Sequence, residues 1–190
     1  VDTKRRHVHV SETLSSVNGQ ISFGPPKTRA AIRAVGVPGW ATDPAVGNRL
    51  INARAETVAT KPAFRDAFRR RRCIVPATGF YEWQDTSGGK FPHYIHRRDG
   101  RLLGMAGLWE HWQGEGQDPV DSVTIITTEA NPLMARIHHR MPVILSPHDY
   151  ALWLDPGVTD LDRLRALLTP CAAEELAIYP VKSIDPQVAV

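Results

Sequence analysis

Between Ile74 and Trp109 the chain reads as short apolar runs divided by turn residues, and this stretch limits the possible folds more than any other. Ile74-Val75-Pro76 is followed by Gly79–Gln84, a Ser87-Gly88-Gly89 turn, and Phe91–Arg97. Asp99-Gly100 is a two-residue turn signal leading into Leu102–Trp109. Runs of this length bounded by Gly and Asp predict strands joined by hairpins. Ser122–Thr128 predicts a further, mostly buried strand, and Val143–Leu145 and Ala177–Val181 predict short ones. No strand–helix–strand alternation occurs, so the expected fold is α+β on a largely antiparallel sheet or barrel.

Helical signals fall between and after these strands. Thr60 is a candidate N-cap with Pro62 in the first turn behind it. Phe64 and Phe68 lie four apart on the inner face, leaving Arg65, Arg69 and Arg72 to reach outward. Asn131-Pro132 caps a short helix, and Ser146-Pro147 opens one running through Leu154. Asp160–Leu168 is the last, with Leu161, Leu164, Leu167 and Leu168 inside. Upstream, Val35-Gly36-Val37-Pro38-Gly39-Trp40 reads as an apolar strand ending in a Pro-Gly turn with Trp40 at its lip, and 41–48 as a surface loop. Residues 1–34 hold no apolar period and are broken by Gly24-Pro25-Pro26, so a poorly ordered arm is expected before a domain over 35–190.

Composition narrows the classes further. A chain of 190 residues that is 42% hydrophobic and 23% charged fits one globular domain. No apolar run approaches the ~18 residues of a membrane span, so a cytoplasmic, nucleoid-associated protein is expected, and a monomer. Of the 23 basic residues 18 are arginine, whose planar fork suits phosphate and carboxylate, although a GC-rich genome gives the same bias. Cys73 and Cys171, 98 positions apart, make no metal or redox motif and read as free thiols in a reducing compartment. No P-loop, GxGxxG, HExxH or GxSxG occurs; neither a metal nor a cofactor is expected.

The polar residues set among apolar ones are the candidates for chemistry. In Phe80-Tyr81-Glu82-Trp83 a strand puts Glu82 beside Phe80 on one face, with Tyr81 and Trp83 on the other. A carboxylate there either pairs with a cation, serves as a general acid or base, or points to water from an edge strand. Asn52 and Arg54 share a strand face that Glu56 continues, which suits gripping a sugar-phosphate or, alternatively, a structural Arg54–Glu56 pair. His138 and His139 precede Arg140 beside a short apolar strand, where an imidazole can shuttle a proton or simply support structure. The run Arg69–Arg72 fits a solvated helix end as well as a nucleic-acid contact.

Several motifs in one order resemble the SRAP, or SOS-response-associated peptidase, family. They are Val37-Pro38-Gly39-Trp40-Ala41, Asn48–Thr57, Arg72-Cys73-Ile74-Val75-Pro76, Gly79-Phe80-Tyr81-Glu82-Trp83 and Ile137–Pro142, and the likeness covers roughly 35–170. The resemblance implies a bifurcated, largely antiparallel β-barrel with peripheral helices, whose positive channel binds single-stranded DNA carrying an abasic site. In that family the initiator Met is removed autocatalytically, and the exposed amino-terminal cysteine forms a thiazolidine crosslink with the opened sugar. It also implies roles here: Asn52, Glu82 and His138 catalytic, and Trp40, Arg54, Thr57 and Arg140 in contact with DNA. Position 1 is Val, position 2 is Asp and the first cysteine is Cys73, so the chain as written is expected not to make that crosslink. The alternatives are a single-stranded-DNA-binding module without chemistry, or a degenerate, inactive remnant.

Overall fold

The computed structural model describes residues 14–17, 20–23, 50–116 and 119–182. Strands β1 (Leu14–Val17) and β2 (Gln20–Phe23) form an antiparallel pair, inside the segment read above as an arm. Two larger sheets follow. In the first, β3 (Asn52–Arg54), β8 (Val120–Glu129), β7 (Leu103–Trp112) and β4 (Arg72–Ala77) lie side by side in that order, with β9 (Arg140–Pro142) also on β8. In the second the order is β10 (Leu176–Pro180), β6 (Gly89–Arg97), β5 (Gly79–Thr86). Every pairing is antiparallel except that of β3 with β8. The α+β, mainly antiparallel expectation is met, with the sheets open rather than closed into a barrel among the described residues.

Alternation along the first sheet gives it two apolar faces. Ala106 and Leu108 of β7, Ala53 of β3 and Ile126 of β8 point to one side. There they meet Phe64, Phe68 of α1 (Arg65–Arg70), Trp153 of α2 (Tyr150–Leu154), Leu164 of α3 (Leu161–Ala166) and Leu168. Leu103 and Met105 point to the other side with Cys73 and Val75, and pack against Ile95 and Leu176 of the second sheet. Burying each such large side chain contributes about 1.5–3 kcal/mol. The layers therefore run helices, first sheet, second sheet. Gly79 is required where β5 meets β6, because a Cβ there would collide with the Ile95 carbonyl and the Tyr94 ring.

The first sheet forks. β7 and β8 pair from Trp112/Val120 up to Gly107/Ile125. Beyond that point residues 140–145 enter between them. β9 pairs with Thr127–Glu129, the Val143 N–H donates to the Ile126 carbonyl, and the Ala106 and Leu145 N–H groups bond Val143 and Gly104 across the same segment. The strand expected at Val143–Leu145 instead lies just before it, as β9 at Arg140–Pro142, and Ile144 meets β7 only in an isolated bridge with Met105.

Three local expectations are corrected. The helix expected from Thr60 starts at Arg65; the Thr60 hydroxyl turns back to the Thr57 carbonyl instead of capping. Arg72 does not reach outward. It is 7% exposed, and its guanidinium donates to the carbonyls of Trp153 (2.7 Å), Phe68 (2.8 Å), Arg69 (2.6 Å) and Asp155. It closes the end of α1 and lies over the Trp153 ring at 5.9 Å, and burial lowers its pKa. Asp99-Gly100 is a turn, with Gly100 at φ 73, but it carries the chain from one sheet to the other rather than closing a hairpin.

Candidate nucleic-acid interface

Register decides which polar residues share a face. Asn52 stands opposite Ile125 and Arg54 opposite Thr127, while Ala53 between them is fully buried on the helix side. Thr127 is in turn opposite Pro142, and Glu129 opposite Arg140. Paired residues project to the same side of a sheet. Asn52, Arg54 and Arg140 therefore lie on the face that looks toward the second sheet. On β5, Phe80 packs into the core between the sheets, so Glu82, two residues on, looks back toward the first sheet. Tyr81 points the other way, with its ring 5.1 Å from that of Tyr94.

Glu82 meets His138 across this gap, with Oε2 3.8 Å from Nδ1. The same Nδ1 lies 3.1 Å from both the N–H and the carbonyl of Arg140. Unprotonated, it accepts the Arg140 N–H; protonated, it donates to the Arg140 carbonyl and stands within ion-pair range of Glu82. The His139 ring lies tilted at 39° against that of His138, with centroids 4.3 Å apart. Glu82 thus faces His138 with one carboxylate oxygen, while the other accepts the Trp83 N–H at 3.0 Å.

The loop bearing His138 is held from both ends. Asn131 is 4% exposed; its Oδ1 accepts the Met134 N–H at 2.9 Å, and its Nδ2 donates to the Cys171 carbonyl at 3.0 Å. Met134 and Met141 are buried on either side of the loop. From the second sheet the Gln84 amide donates to the Arg136 carbonyl at 2.8 Å. That bond fixes β5 against the turn before His138, and with it the Glu82–His138 approach. Sequence reasoning passed over Gln84; its only signal is the two-residue spacing from Glu82 that puts both on one strand face.

Arg140 is clasped rather than free. Its two terminal nitrogens bond the Glu56 carboxylate at 2.7 and 3.0 Å, and the second also donates to the Thr127 carbonyl at 2.6 Å. Of the two readings open for Glu56, the structural pair with Arg54 is not formed; its carboxylate bonds Arg140. The hydrogen bonds from Arg140 hold the Glu56 carboxyl below its ordinary pKa, against partial burial, and the charges of Arg140 and Arg54 add to this. Arg54 and Asn52 are exposed. Thr57, also exposed, sits in the turn whose N–H donates to the Arg54 carbonyl at 3.0 Å. Trp40 and the expected strand at 35–40 lie outside the described residues.

The arginine run divides by position. Arg69 and Arg70 are exposed, Arg71 bonds Glu110 at 2.5 Å, and Arg72 is internal. Both cysteines are free. Burial pushes the Cys73 thiol up to about 12 and the Cys171 thiol up to about 11. Among the described residues no three His, Cys, Asp or Glu side chains stand together as a metal site, and no helix is long and apolar enough to cross a membrane.

The sequence pattern of the SOS response associated peptidase (SRAP) family matches residues 16–184. The chain belongs to the SRAP family. The match reaches well beyond the 35–170 over which the motifs are recognisable by eye. The chain is 44% identical over 149 residues to the abasic site processing protein YoqW of Bacillus subtilis, a match covering 78% of this chain and 66% of that protein. It is 34% identical over 172 residues to the abasic site processing protein HMCES of Gallus gallus, covering 77% and 50% respectively. A crystal structure of a protein from Bacteroides thetaiotaomicron superimposes with a TM-score of 0.75 at 30% identity, over 82% of this chain and 72% of that one. The chain thus spans between half and two thirds of these curated relatives' length.

Proposed function

We propose that the face carrying Asn52, Arg54, Glu82, His138 and Arg140 binds single-stranded DNA at an abasic site and assists opening of its sugar ring. The observation that carries this reading is the meeting, 3.8 Å apart, of Glu82 on β5 and His138 in the loop that leads into β9. A carboxylate and an imidazole at that distance can pass a proton once a ligand tightens the geometry. In this reading Glu82 takes or gives the proton on the ring oxygen, His138 serves the sugar hydroxyl, and Asn52 holds the sugar. Arg54 and Arg140 meet the flanking phosphates, with Thr57 a further phosphate contact and Trp40 a stacking partner for a base.

The family's covalent step needs a reactive thiol beside a free amine, and neither described cysteine suits it. Cys73 is 2% exposed with its thiol pushed to about 12, and Cys171 is held by the core around Asn131. Ring opening and binding are the activities assigned to the residues in hand. The test traps the opened aldehyde with an aminooxy reagent on an abasic oligonucleotide. The protein should speed trapping, and Glu82→Gln or His138→Asn should remove roughly 10²–10⁴-fold of that acceleration. Equal trapping rates with and without the protein would defeat the reading.

A further inference from the structure

The Glu56–Arg140 clasp imitates the contact that a DNA phosphate would make. A carboxylate and a phosphodiester each offer two oxygens to a guanidinium fork, so they compete for the same two nitrogens. In this structure Glu56 occupies both, at 2.7 and 3.0 Å. The two partners are unequally fixed. The Arg140 side chain is 16% exposed and anchored to the Thr127 carbonyl, whereas Glu56 is 46% exposed at the rim. Glu56 can therefore swing into water while Arg140 stays in place. The buried Nε of Arg140 has no partner, so the present clasp leaves one of its donors unused.

We infer that Glu56 is an internal phosphate mimic: a latch that holds Arg140 while no DNA is bound and yields to a phosphodiester oxygen pair. This deepens the DNA-binding reading above and rests on it. The latch makes Arg140 selective. A ligand without a phosphate at that position gains nothing by approaching, because Glu56 already satisfies the fork. Glu56 also offsets the field of Arg54, whose charge acts on it. A phosphate that displaces Glu56 takes over the Arg140 fork and moves the Glu56 charge away from Arg54.

The test is a double-mutant cycle read by fluorescence anisotropy, on a single-stranded oligonucleotide carrying a tetrahydrofuran abasic analogue. Removing the competing carboxylate with Glu56→Gln should tighten binding roughly two- to fivefold, the factor an exposed ion pair is worth. The gain should vanish in the Arg140→Gln background. Thermal melts of each variant check that the fold is retained. If Glu56→Gln weakens binding as Arg140→Gln does, Glu56 positions Arg140 and the latch is overturned, with DNA binding intact. If Glu56→Gln changes nothing while Arg54→Ala weakens binding, the latch again falls and the interface stands. Absence of binding by the wild type and Glu56→Gln alike overturns both.

Discussion

Replacing Arg72 with methionine tests whether the arginine run is internal architecture or a surface for DNA. The guanidinium donates to four carbonyls, of Phe68 and Arg69 at the end of α1 and of Trp153 and Asp155 at the end of α2. Met keeps an unbranched apolar stem of similar length but supplies none of these donors. Asp155 retains the Val158 N–H at 3.3 Å, so the loss falls mainly on the other three. Each buried carbonyl left unpaired costs about 1–3 kcal/mol. Partial relaxation of the helix ends brings the sum to about 3–5 kcal/mol, a large part of the ~5–15 kcal/mol that stabilises a typical domain. At about 2–4 °C per kcal/mol for a chain of this size, Tm should fall by about 6–20 °C by differential scanning calorimetry. Arg69→Met, at an exposed position, should change stability by about 0.5 kcal/mol or less. A Tm for Arg72→Met within about 3 °C of wild type would refute the assignment of Arg72 as the tie between α1 and α2.

Other outcomes follow from the same contacts. Asn131→Ala removes both the Met134 N–H acceptor and the Cys171 carbonyl donor, and should destabilise by about 1–3 kcal/mol in chemical denaturation. Gln84→Ala should leave Tm nearly unchanged but slow aldehyde trapping, since it frees β5 from the turn before His138. Hydrogen bonds from Arg97 and Arg101 hold the Asp99 carboxyl well below the carboxylate range. A depressed pKa gives stability that is complete above the ordinary value of 3.8 and lost as pH falls through the folded value. Asp99→Asn should therefore be less stable than wild type at neutral pH, with the gap closing in strong acid. Iodoacetamide should label Cys73 only after denaturation, as mass spectrometry would show; rapid labelling of the native protein would contradict its burial.

Periodicity made the β-hairpin block legible. Gly79–Gln84 and Phe91–Arg97 emerge as β5 and β6, and Phe68 of α1 is buried with Phe64 at its N-cap, because alternation and four-residue spacing act locally. The same spacing misplaced Arg72. As an outward residue of a continuing helix it would be solvated, but the helix stops at Arg70 and Arg72 opens β4 with its side chain turned back over the helix end. The fork between β7 and β8 depends on residues 140–145 meeting Gly104, Ala106 and Ile126, and the parallel pairing of β3 with β8 joins residues some 70 positions apart; no local pattern encodes either. The candidate residues Asn52, Arg54, Glu82, His138 and Arg140 are legible one by one, as polar groups set beside apolar runs. Their partners are not. Glu56 bonds Arg140, 84 positions away, in preference to its neighbour Arg54, and Gln84 reaches Arg136.

The most direct test of the account is the salt dependence of binding to single-stranded abasic DNA, for the wild type and for Arg54→Ala. If Arg54 neutralises one phosphate, log K should fall linearly with log salt, and Arg54→Ala should both weaken binding and flatten the slope by about 0.7. Binding that ignores salt, or a slope that Arg54→Ala leaves unchanged, would contradict the interface on this face.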